Sequence, residues 1–377
     1  MTAGQISRSE NVSTDEVVNQ AYYFYQAFTF SYVANGLFSM TIRFGFANGA
    51  LMDEFDEPRG IFYSPQIGFK PDSDGVAEIF FHHSFEVDAD KAIAELQHND
   101  QITEYPATDV ETNRARFILQ KNIGRLQVEF KIESATPEYV TLKSSDNQTF
   151  AFKSLTRYES YARNVLKLYD LIYANLTRLF NVTLASVAPV EVQFFLPEFD
   201  TLLSVGGYVH FTGEQLGEIN INIFFIRAVD GAVEVIATHE LVHRFLGKAQ
   251  LSPSNLLWFH EGMAQYVSTT FIADLGYEGG VQEKHKLDQA SVSVYNDEKG
   301  AIGFIQQWSP SSQPPDIDKY YAASYYVVSK LTEMHGGLPH YQRFFELING
   351  AMVNSNNVLA YYPVSYTHLR AHETVLD

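Results

Sequence analysis

The chain has no cysteine. Disulfide staples, thiolate metal sites and cysteine nucleophiles are excluded, so any metal must be held by His, Asp or Glu. Positive charge is scarce: 26 Lys and Arg stand against 45 Asp and Glu, a formal net charge of −19. Such a surface repels phosphate backbones and anionic lipid faces, so nucleic acid and an anionic membrane are poor partners. No apolar run approaches the roughly 20 residues of a membrane span. Residues 1–20 lack the apolar stretch of a signal peptide, which leaves the compartment open, export included if the N-terminus is incomplete. No phosphate-cradling loop or dinucleotide fingerprint occurs. What remains is a 377-residue chain, 46% hydrophobic, long enough for two domains with their own cores.

The last stretch is set aside. "VSYTHLRAHET" (364–374) reads, codon by codon, like one frame of a transposase adaptor used in sequencing libraries. Residues 364–377 are therefore expected to be read-through from DNA preparation, with the gene cut near Pro363. His368 and His372 are excluded with it, although they share the i, i+4 spacing discussed below.

Residues 1–153 read as a β-rich, sandwich-like domain. "RLQVEFKIES" (125–134) alternates apolar and polar, and "SMTIRFGF" (39–46) and "VAEIFFHHSFEV" (76–87) also read as strands. His82 and His83 fall in the second of these, on opposite faces, where they cannot easily share an ion. A short helix is expected at 89–97, capped by Asp88. The period changes near 155. "TRYESYARNVLKLYDLIYANLTRLF" (156–180) has helical spacing, a capping box of Thr156 and Glu159, and Asn181 at its end. Strands follow at 191–197, 206–211 and 218–225. Helices follow over "VIATHELVHRFLG" (235–247), with Gly247 just past its end, then over 255–276 and 316–337, the last stopped by Gly336 and Gly337. Residues 154–363 thus predict an α+β domain.

"HELVH" places His239 and His243 four positions apart on one helix face, so both can address one ion. A catalytic zinc takes three protein ligands and keeps one position open. Glu261, in "WFHEGMAQY" (258–266), lies on the next helix, and the intervening residues suffice for a turn and an antiparallel return. Gly262 and Ala264 are small enough for those two helices to approach closely. Glu240 is then free to act as general base. Gln265, one turn after Glu261, reads as a helix-surface glutamine or a support to the ligands.

The paired motifs "HELVH" and "WFHEGMAQY" resemble the gluzincin clan of zinc metallopeptidases, which includes thermolysin-like and aminopeptidase-N-like enzymes. The resemblance spans roughly 155–350 and is strong only at the two motifs. It implies Zn2+ held by His239, His243 and Glu261, Glu240 as base, and a peptide or protein substrate. It also implies a β-rich domain ahead of a thermolysin-like α+β domain. A further donor to the oxyanion is implied; Tyr321 and Tyr325 are the candidates on "KYYAASYYVVSKL" (319–331), with Tyr320 a third. The resemblance also implies an edge strand pairing with substrate, for which Gly206, Gly207 and Tyr208 are placed; a plain tight turn is the other reading. The Gly-x-Met-Glu-Asn motif of aminopeptidase-N-like enzymes is missing between 200 and 238, so endopeptidase and exopeptidase stay open. A gluzincin-like binding or scaffold protein that no longer cleaves is the alternative.

Overall fold

The computed structural model describes residues 48–53, 58–64, 74–98, 101–120, 123–132, 137–145, 148–184, 188–198, 201–212, 215–312, 314–348 and 350–361, with two short strands near the N-terminus. The expected strand at 39–46 and the adaptor-like stretch 364–377 lie outside them. The chain divides into two compact units, Met1–Pro137 and Glu138–Asp377. The boundary falls earlier than the 153/154 expected from the change of period. Tyr139–Lys143 and Phe150–Leu155 are strands, but they pair into the second unit.

In the first unit β1 (Ser13–Asp15) pairs with β2 (Ala27–Thr29). Five strands form one sheet in the order β3 (Ala50–Asp53), β4 (Arg59–Tyr63), β10 (Ile123–Ile132), β6 (Phe85–His98), β7 (Gln101–Pro106). Three more form another: β5 (Asp74–Phe80), β9 (Arg114–Gln120), β8 (Asp109–Glu111). Val87, Ala92, Ala94, Ala115, Phe117, Leu119, Leu126 and Val128 form one core cluster, joined by Ala77 and Ile79 of β5. Those side chains come from both sheets, which share this core. On β10 the polar Gln127 and Glu129 are buried as well, and Glu129 is met by Lys91 at 2.9 Å and Arg59 at 3.3 Å.

Two local expectations fail here. The segment 89–97 is strand, not helix: it lies inside β6 and pairs with both β10 and β7. Its Ala92 and Ala94 alternate into the core. Alanine favours a helix in isolation, but two neighbouring strands offer it a ladder and a buried face. His82 and His83 occupy the turn between β5 and β6, with ring centroids 4.0 Å apart. They do not face opposite sides of a strand.

The second unit opens with β11 (Tyr139–Lys143) and β12 (Phe150–Leu155), an antiparallel pair. A 3₁₀ turn leads into α1 (Glu159–Phe180), which ends at Asn181 in the left-handed conformation, φ 53°. The capping box does not form: Thr156 Oγ1 donates to the Glu138 carbonyl, and Glu159 pairs with Arg163. Next come β13 (Val190–Phe195), β14 (Gly207–Thr212) and β15 (Gln215–Asn222). The sheet order is β11, β12, β13, β15, β14, with β12, β13 and β15 parallel and β14 an antiparallel edge. The strand expected to run to 225 stops at Asn222, whose side chain accepts from Phe224 N and donates to Leu202 O and Val205 O. The chain then tightens into a 3₁₀ turn.

Five helices complete the unit: α2 (Ala232–Lys248), α3 (Pro253–Asp274), α4 (Glu278–Asp297), α5 (Ile317–Met334) and α6 (Pro339–Ile348). Helix α1 braces α2 through Tyr169, whose hydroxyl donates to the Ala237 carbonyl at 2.9 Å. Phe180 stacks on Phe245 at 5.4 Å. Gly247 lies inside α2 rather than past its end; a Cβ there would sit 2.5 Å from Leu216, so the glycine serves the seat of α2 on β15. Gly336 and Gly337 do end α5, at φ 85° and 95°. On either side of these glycines, His335 and His340 stack at 4.5 Å. Burial lowers the pKa of both, and His335 adds to the effect on His340. The unfolded chain therefore takes up protons first on acidification, and stability falls as pH drops below the ordinary histidine value of about 6.5. Replacing both by Gln is expected to flatten the decline in Tm between pH 7 and pH 5.

No helix among the described residues is long and apolar enough to cross a membrane.

Candidate metal centre

Helix α2 runs behind the edge of the sheet and presents its HExxH turn toward α3. His239 and His243 share one face, as i, i+4 spacing dictates. The chain reverses through 249–252, and α3 starts with Pro253 in its first turn. A break in helical geometry at Leu256 (φ −154°, ψ 43°) redirects α3 before Trp258. Trp258 and Phe259 are then buried, and Glu261 is carried back to the two imidazoles.

The three side chains converge. Nε2 of His239 and Nε2 of His243 lie 3.0 Å apart. Oε2 of Glu261 lies 3.3 Å from the first and 3.6 Å from the second. This is the one group of three or more His, Asp or Glu with metal-ligand spacing among the described residues. Donors about 2.0–2.1 Å from one ion, at roughly tetrahedral angles, stand about 3.3 Å from one another. The observed spacings bracket that value. Two imidazole nitrogens and one carboxylate oxygen, with no thiolate, suit zinc.

The electrostatics call for positive charge at the same point. Burial pulls the Glu261 carboxyl upward, but His243 and His239 outweigh it and hold the group well below the ordinary carboxylate range. Burial pulls His243 down, yet Glu261 and then Glu240 leave it above its ordinary value. A cation at the convergence point supplies what the protein alone obtains from a proton.

Glu240 is 4% exposed. Burial raises its pKa, His239 and His243 oppose this, and Glu261 adds to it. Its position is set by β14. A Cβ on Gly207 would lie 2.8 Å from Glu240 Cγ, 2.9 Å from Glu240 Oε1 and 2.7 Å from the Asn220 carbonyl oxygen. The space left by Gly207 is thus taken by the glutamate side chain and the neighbouring strand. Gly206 faces the flexible side chain of Ile236 at 3.3 Å. Tyr208 packs edge-on to Phe195 (4.9 Å) and His210 (4.8 Å).

The tyrosine candidates separate. Tyr321 has its pKa raised first by Glu261, then by burial and by Glu240, so its hydroxyl lies in the field of both carboxylates. Its ring stands edge-on to Trp308 at 5.1 Å. Tyr325 is turned elsewhere: its hydroxyl donates to Asp288 on α4 at 2.7 Å, and its ring packs on Tyr266. The Tyr325 hydroxyl is thus engaged by α4, whereas that of Tyr321 is not. Tyr320 packs on Phe304 and Trp308.

Two further expectations change. Gly262 does not bring α3 onto α2; a Cβ there would lie 2.5 Å from the Ser324 carbonyl of α5. Gln265 is half-buried, with its Oε1 shielded from solvent. A residue that sequence reasoning passed over also stands here. His260 is 0% exposed, its Nε2 is 3.0 Å from the Leu251 carbonyl, and its ring stacks on that of His243. Burial, with His243 adding, lowers its pKa to about 3, so it is neutral. Adjacency to Glu261 in sequence was the only signal, and a helix normally turns consecutive residues apart.

No family profile and no curated protein matches the chain. Among solved structures, native yeast LTA4 hydrolase is similar at 9% identity and a TM-score of 0.38. The match covers 84% of this chain and 62% of that one, so the chain spans less than two thirds of its length.

Proposed function

We propose that this protein is a zinc-dependent peptidase of gluzincin type, with His239, His243 and Glu261 as metal ligands. The observation that carries it is the meeting of three donor atoms, 3.0–3.6 Å apart, beside a buried glutamate that is not among them. A zinc ion there would supply Lewis acidity and a water acidic enough to ionise near neutral pH.

The chain's own groups do the rest. The Glu240 carboxylate takes the proton of the attacking water and hands it to the leaving amine. The Tyr321 hydroxyl donates to the oxyanion as the carbonyl carbon becomes tetrahedral. The edge strand β14, with Gly206 just ahead of it and Gly207 and Tyr208 opening it, pairs with the substrate backbone as an added strand. In this reading Glu138–Asp377 is the catalytic unit, thermolysin-like in layout, and the β-rich unit precedes it. Peptides or proteins are the substrate class.

The test is cleavage of a mixed peptide library by the full chain, with and without chelator. One zinc per chain and hydrolysis that chelation abolishes and zinc restores are expected. Hydrolysis indifferent to chelation overturns the reading; one zinc per chain with no cleavage of any peptide assigns the site to binding instead. Within the reading, Tyr321→Phe is expected to lower kcat by roughly 10²–10³-fold, the usual cost of an oxyanion donor. Tyr325→Phe breaks the bond to Asp288, so it should lower Tm and leave kcat near the parent value. Equal kcat losses in the two variants would refute the separation.

A further inference from the structure

One buried imidazole beside the metal centre has no part in the proposed chemistry. His260 lies with its ring 5.7 Å from that of His243, the two planes only 16° apart. Phe211 packs edge-on against it at 6.1 Å. Its Nε2 faces the Leu251 carbonyl oxygen, which can only accept, so Nε2 carries the proton. Nδ1 is therefore a lone-pair acceptor, and this buried atom has no hydrogen-bond partner among the described residues.

His243 has the complementary deficit. Its Nε2 lone pair is committed to the donor cluster, which places the proton of the neutral ring on Nδ1. That atom is also buried and without a hydrogen-bond partner among the described residues. Metal-binding histidines almost always donate their second N–H to a carboxylate, a carbonyl or a water, and the partner fixes both tautomer and ring orientation. Here no carboxylate or carbonyl of the described residues takes that role. An orphan donor and an orphan acceptor on neighbouring, near-parallel rings are both satisfied by one shared water.

We infer that His260 is a positioning residue for His243, accepting its Nδ1 proton's hydrogen bond through one buried water and so holding Nε2 toward the metal. This rests on the metal-centre reading above but not on peptide cleavage. Leu251 then ties the relay to the turn between α2 and α3, so one imidazole reports the α3 entry to the α2 ligand.

Two substitutions divide the functions of the His260 ring. In His260→Gln the amide nitrogen falls near the Nε2 position; it keeps the bond to Leu251 and loses the acceptor. In His260→Asn the amide oxygen falls near the Nδ1 position; it keeps the acceptor and loses the Leu251 bond. Zinc affinity of the full chain, measured by chelator competition, is expected to fall roughly 10- to 100-fold in His260→Gln. His260→Asn should hold zinc more tightly than His260→Gln, while its metal-free Tm falls further. Equal affinities, or the reverse order, overturn the inference. Should either variant fail to fold, the unsubstituted zinc-loaded chain decides by NMR. A slowly exchanging Nδ1–H of His243 supports the inference, and exchange as fast as that of an exposed imidazole overturns it. A chain that binds no zinc ends both this inference and the metal reading. Zinc bound without peptide cleavage ends the peptidase reading alone.

Discussion

Glu240→Gln will keep one zinc per chain and lower peptide hydrolysis by roughly 10²–10⁴-fold, the usual contribution of a general base. Glutamine has nearly the shape of glutamate but no basic oxygen. Shape matters here because the side chain fills the space against Gly207, and a smaller residue would leave a void at the same place. Zinc is retained because Glu240 is not among the three converging donors. Zinc content, metal-free Tm and kcat are the three measurements. Loss of zinc together with activity would make Glu240 a structural part of the centre. Turnover at the parent rate would remove it from the chemistry.

Gly207→Ala is expected to cost nearly as much, from a position that carries no reactive atom. The backbone there is not in the left-handed region, so alanine faces no conformational penalty. The obstacle is steric. One methyl group would press on the Glu240 side chain and on the Asn220 carbonyl at 2.7–2.9 Å, closer than such atoms pack. Either Glu240 moves or the edge strand does. A displacement of about 1 Å in a reacting group can cost on the order of 10²-fold in rate. Overpacking of this kind typically costs about 1–3 kcal/mol of stability. Gly206→Ala is the steric comparison, since the nearest atoms to its methyl belong to the movable arm of Ile236, at 3.3 Å and beyond. It should keep Tm close to the parent, and any effect through the proposed substrate edge should fall on KM, leaving its kcat loss well below that of Gly207→Ala. Similar rates for the two alanine variants would show that the edge strand yields freely and that Gly207 does not set the base.

The three converging side chains were legible because they obey one local rule each. The i, i+4 histidines need only a helix, and Glu261 needs only a second helix returning after a turn. The tyrosines were not separable in the same way. Tyr321 and Tyr325 are four apart on α5, so periodicity puts them on one face. What distinguishes them is Asp288, on a helix the sequence did not announce. Helix α4 buries only Gly279, Gly280, Leu287 and Ser291, and small residues leave no apolar stripe to read. Helix α6 did carry a stripe, with Tyr341, Phe344, Phe345 and Ile348 buried at helical spacing. The strand β6 was hidden for the opposite reason, since its inward positions hold alanines that favour a helix when considered alone. The unit boundary moved because pairing of β12 with β13 is non-local, and change of period marks a change of element rather than of domain.

Gly262 closes the gap between α3 and α5 to backbone contact with Ser324. Glu261 and Tyr321 are far apart along the chain, yet they ride on helices keyed to each other by that contact. The joint does not need the peptide link between them. A protease that nicks the exposed turn at 310–312 should leave two fragments that stay together and still hold carboxylate and phenol in register. The same turn is where a foreign sequence could be spliced in, or new termini opened, with the two residues still aligned.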